Sequence, residues 1–152
     1  MRGTITTLRD STTLPVVQTG PRQRPLELVV PYTNPVLTAR ALAAATELAR
    51  GFEAAITLLA VHVLPYPSPL ECHEGIRGRL EAELTAIART SPVSIRVKLV
   101  FARDRQAAYL GLLRRGSLVV IGMKDRWWIT REKRLARRLV FSGHSVAVIK
   151  VR

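Results

Sequence analysis

From Leu26 onward, short runs rich in Val, Ile and Leu alternate with longer segments of helical period. Few folds accommodate that alternation: each apolar run reads as a strand buried on both faces, and each periodic segment as a helix that covers it. Strands are expected at Leu26 to Tyr32, Ala55 to Val63, Val93 to Phe101, Ser117 to Gly122 and Ser145 to Val151. The fold class that follows is α/β, a single three-layer α/β/α domain around a five-stranded parallel sheet.

The helices carry their own boundaries. Asn34 is placed to cap a first helix with Pro35 at its opening position, and Gly51 to close it after the apolar residues Leu37, Ala41, Ala45 and Leu48. Ser68, Pro69 and Glu71 read as a capping box ahead of the stripe Ile76, Leu80, Leu84 and Ile87. Asp104 caps a short helix that runs through Leu113 and leaves at Gly116. A last helix, from about Thr130 to Phe141, is expected to bury Leu135, Ala136, Leu139 and Val140, with arginine over most of its other side.

Residues 1–25 hold Pro15, Pro21, Pro25 and four arginines with no sustained apolar period, so they read as a basic arm, and 26–152 as the domain. At 152 residues the chain has the size of one domain, which buries roughly 68 to 70% of its unfolded surface and so needs no staple. A single cysteine makes no internal disulfide, and with no charged-then-apolar leader the expected compartment is the cytoplasm. The longest apolar stretch, Ala54 to Leu64, is about half a membrane span and ends at Pro65.

Common catalytic fingerprints are absent: there is no Walker loop, no G-x-G-x-x-G, no H-E-x-x-H and no G-x-S-x-G. Glu71, Cys72, His73 and Glu74 form the one cluster with metal-ligand chemistry, but no second His or Cys pair stands at ligand spacing, and the carboxylates suit a helix N-terminus equally well. His62 reads as a core histidine at a strand end. In this architecture a ligand site is expected at the C-terminal ends of the strands, in the loops after the first and fourth.

Leu28-Val-Val-Pro-Tyr-Thr33 before an alanine-rich helix, Leu58-Leu-Ala-Val-His-Val63, Leu118-Val-Val-Ile-Gly122 and Ser145 to Val151 together resemble the universal stress protein family. The resemblance runs from about Leu26 to Arg152. It implies the sheet order 3-2-1-4-5 of the Rossmann-like, adenine nucleotide alpha hydrolase-like group. It also implies a homodimer through the last strand, here Val146, Val148 and Lys150, and, in one branch of the family, ATP in the crevice. Carried over residue by residue, Pro31 matches the proline of the first loop, Val63 the valine beside adenine, and Gly122 the first glycine of the phosphate loop.

The loops after the first and fourth strands depart from that branch. Thr33 stands where it has aspartate, and Asp125 where it has the second glycine, while the closing glycine and serine fall near Glu132 and Lys133. Such glycines let backbone N–H groups approach phosphate, so side chains here, a carboxylate above all, work against the same geometry. The resemblance therefore implies a regulatory binding protein without catalysis of its own, and no resident cofactor: ATP or another adenine nucleotide is not expected to be held in the family's manner.

Lys124, Arg126 and Lys133 would supply anion-binding side chains where the family uses glycines, giving a nucleotide sensor or weak hydrolase as one alternative. The net charge of +13 and the run from Arg131 to Arg138 give another, a module for nucleic acid or another polyanion. Against both stands the plain reading of that run as a solvated helix face, in a chain with 20 Arg to 4 Lys. Trp127 and Trp128 beside these charges suit stacking on a base, against the plain reading that adjacent residues point different ways, one packing as a lid on the core and the other lying at the surface or in a dimer interface.

Overall fold

The computed structural model describes residues 6–7, 25–69, 73–127 and 130–152. In chain order the elements are β1 (Thr6–Thr7), β2 (Leu26–Pro31), α1 (Pro35–Ala49), β3 (Ala54–Val63), α2 (Glu74–Ala88), β4 (Ile95–Ala102), α3 (Arg105–Leu112), β5 (Leu118–Lys124), α4 (Arg131–Phe141) and β6 (Ser145–Val151). All pairings are parallel, and the strands lie in the order β1-β4-β3-β2-β5-β6. The five expected strands are β2 to β6, in the order 3-2-1-4-5. Thr6 and Thr7 add a two-residue strand beside Arg96 and Val97, inside the stretch read as an arm.

Alternation along each strand divides the interior in two. Leu28 and Val30, with Ile56, Leu58, Ile95, Val97 and Val120, face α1 and α2. Val29, with Leu59, Val61, Val119, Ile121 and Met123, faces α3 and α4. Tyr109 of α3 is fully buried in the second core, where its hydroxyl donates to the Leu59 carbonyl oxygen at 3.3 Å.

Three helices start where their caps place them. Asn34 Oδ1 accepts from Leu37 N at 2.9 Å, Asp104 Oδ1 from Ala107 N at 2.9 Å, and Thr130 Oγ1 from Lys133 N at 3.3 Å. Gly51 and Gly116 take the left-handed conformation at helix exits, with φ of 80° and 85°. The capping box at Ser68 does not open α2: the helix begins at Glu74, with His73 in the cap position and no side-chain cap bond. Its N-terminal approach is held instead by Arg103, whose guanidinium donates to the carbonyl oxygens of Leu64 (3.2 Å), Pro65 (2.8 Å) and Ser68.

Burial corrects expectations at five further residues. Leu48 of α1 and Val140 of α4 are exposed, each outside the buried stripe of its helix. Ile76 and Leu80 of α2 are only half-buried, as is His62, which sets its ring edge-on to Phe101 at 5.6 Å. Among the described residues, no helix is long and apolar enough to cross a membrane.

Candidate functional site

The C-terminal ends of β2, β3 and β4 open beneath α2 into a cavity of about 80 Å³. Tyr32 and Thr33 line it from the turn after β2, Val61 and His62 from β3, Leu80 and Glu83 from α2, and Arg105 from the start of α3. The turn is fixed by Tyr32 N donating to the Leu59 carbonyl oxygen at 2.8 Å and by Thr33 N donating to Thr38 Oγ1 at 3.1 Å. Thr38 is itself buried, so the loop is tied to the core rather than to solvent.

Across the cavity the Tyr32 hydroxyl donates to Glu83 Oε1 at 2.6 Å. Desolvation, with the Glu83 hydrogen bond and charge behind it, pushes the Tyr32 phenol up to about 12. The phenol is therefore neutral across the physiological range and stays a donor. This pair was not singled out in the sequence. Its signal is the polar Glu83 on the stripe Leu80, Glu83, Leu84, Ile87, where helical spacing calls for apolar residues.

Of the residues carried over from the resemblance, Thr33 lines the cavity and the others are spread around it. Pro31 is the buried last residue of β2, and Val63, at the end of β3, is 36% exposed. Gly122 lies inside β5, where an added Cβ would sit 2.4 Å from the Leu37 carbonyl oxygen of α1. That close approach accounts for a glycine at this position without any ligand. Lys124 ends β5, and the exposed Asp125 and Arg126 follow it. Lys133 Nζ reaches back from α4 to donate to the Arg126 carbonyl oxygen, so this lysine closes its own loop.

His73 and Glu74 stand at the start of α2, where His73 Nε2 contacts the Pro69 carbonyl oxygen and its ring lies 6.0 Å from Phe101. Glu71, Cys72 and Trp128 fall outside the described residues. Among those described, no three His, Cys, Asp or Glu side chains gather into a metal-binding group.

At the sheet edge, β6 pairs among the described residues with β5 alone. Val148 is 44% exposed and Lys150 is exposed, whereas Val146 is partly covered by the α3/α4 core.

No family model matches the chain, and no curated protein matches it. Solved structures do. A universal stress protein from Archaeoglobus fulgidus is similar with a TM-score of 0.62 and 17% identity, over 82% of this chain and 93% of that one. The universal stress protein from Archaeoglobus fulgidus in complex with dAMP gives 0.57 and 14%, over 84% and 98%. A universal stress protein in complex with cAMP gives 0.51 and 15%, over 82% and 97%. Strand order and these likenesses agree: the chain has the fold of the universal stress proteins.

Proposed function

We propose that this is a regulatory binding protein of the universal stress type, without catalytic activity of its own, which acts by pairing at β6 and does not hold ATP in the family's manner. The phosphate side of the crevice carries this reading: Asp125 stands where the nucleotide-binding branch has a glycine, and a carboxylate there opposes a phosphate. Gly122 is packed on the Leu37 carbonyl, and the Lys133 ammonium is directed at its own loop.

A second reading is favoured by one contact. Tyr32 and Glu83 close the crevice through one hydrogen bond between side chains, and such a bond is exchangeable for bonds to a ligand. Two of the similar structures hold an adenine monophosphate, dAMP or cAMP. A crevice that opens at Tyr32 would make this chain a sensor of such a monophosphate. Denaturing the purified protein and analysing the supernatant by absorbance ratio and mass spectrometry separates the readings. The first expects no stoichiometric nucleotide, and a retained monophosphate would replace it with the second.

A further inference from the structure

Charge is segregated between the two helical layers. α1 and α2 together carry three basic residues against four acidic ones, whereas α3 and α4 carry six against one. The ion pairs among the described residues, Arg50 with Glu47 and Arg77 with Glu81, both involve the α1/α2 layer. None involves the arginines of α4.

On α4, Arg134, Arg137, Arg138 and Phe141 fall at i, i+3, i+4 and i+7, the spacing of a single helix face. All four are exposed, Phe141 at 89%. The opposite face, Leu135, Ala136 and Leu139, is consumed by the core. In the loop ahead of the helix Trp127 is 91% exposed. Along the helix axis the arginines from Arg131 to Arg138 span about 10 Å, and Phe141 follows about one turn further on.

We infer that the solvent face of α4 binds single-stranded nucleic acid, the arginines of α4 taking backbone phosphates and Phe141 stacking on an unpaired base. Arginine forks match phosphate oxygens, and aromatic platforms along a cationic track are how single strands are held without sequence preference. A duplex would use the arginines and leave the ring idle, since its bases are already stacked. An anionic membrane fits less well, because insertion needs the apolar face of an amphipathic helix, and here that face is buried in the protein.

The test is fluorescence anisotropy with a labelled oligothymidylate of roughly 12 nucleotides, within the range of single-strand sites, titrated from low to moderate salt. Wild type is expected to bind, with log K falling linearly in log salt by about 0.7 per phosphate engaged. R134E/R137E/R138E should lower affinity at least about tenfold and flatten that slope. F141A should lower it by about 5- to 150-fold with the slope unchanged, and F141W should restore it. The control R40E/R79E, on the other layer, should change neither. Circular dichroism melts establish that each variant is folded.

The inference is overturned if wild type fails to bind at low salt, or if the control pair weakens binding as much as the α4 triple. It also fails if F141A leaves oligonucleotide binding intact while abolishing either binding to phosphatidylserine vesicles or self-association in sedimentation. Loss of binding on deleting 1–24, with the α4 triple unaffected, would likewise move the site off this helix.

Discussion

The backbone of Leu37 sits so close to Gly122 that a methyl group there would lie 2.4 Å from the Leu37 carbonyl oxygen. The clash is with helix backbone, which cannot swing aside as a side chain would. G122A must therefore push α1 away from β5, and overpacking of this kind costs about 1 to 3 kcal/mol. A thermal melt should show the loss without any nucleotide in the buffer. An unchanged melting temperature would return Gly122 to a ligand-dependent role.

Arg103 gathers the carbonyls of Leu64, Pro65 and Ser68, and its guanidinium lies 4.2 Å over the Tyr66 ring. With R103A the segment from Leu64 to Ser68 loses its main tether, and amide exchange there should rise while the sheet stays protected. R103K has no planar fork and should recover little of the protection. Equal exchange in wild type and R103A would mean that the loop is held by something else.

Alkaline pH should destabilise the fold through two tyrosines. Tyr32 is pushed up to about 12 by desolvation and by Glu83, and Tyr109 to about 12 by burial, with the Arg105 charge opposing. An acid with a folded pKa above its unfolded value of about 10 holds its proton more tightly when folded. The stabilisation is therefore complete below pH 10 and lost as pH rises through about 12. Urea midpoints should fall across that window in wild type and fall less in Y32F/Y109F. Parallel curves for the two proteins would contradict the assignment.

Pairing at β6 is expected to show as a dimer in sedimentation at micromolar concentration. The strand is a sheet edge with Val148 exposed, and two-fold symmetry would bring two copies together antiparallel. V148P removes a backbone donor there and should shift the population to monomer. A wild-type monomer, or a dimer unmoved by V148P, would place the interface elsewhere.

Local chemistry made the main elements legible and distant chemistry hid the rest. Asn34, Asp104 and Thr130 each cap a helix through a neighbour three residues on, so three of the four helix starts could be read from sequence. The start of α2 could not, because its approach is tied by Arg103 from 35 to 39 residues away. Thr6 and Thr7 pair with β4 over two residues, too few to show a period. At the site, Thr33 was visible beside the family pattern, whereas the Tyr32 to Glu83 bond joins residues 51 apart. Gly122 was seen but ambiguous, since close approach to a phosphate and close approach to Leu37 both require a residue without a Cβ.

Isothermal titration with Mg-ATP, followed by AMP, bears most directly on the proposed function. A phosphate loop without the glycine cradle, with Gly122 packed on Leu37 and Lys133 turned to its own loop, predicts no micromolar heat from Mg-ATP in wild type or in a V63W variant. Micromolar binding of Mg-ATP that V63W abolishes would contradict the account, because the nucleotide would then lie against Val63 at the end of β3.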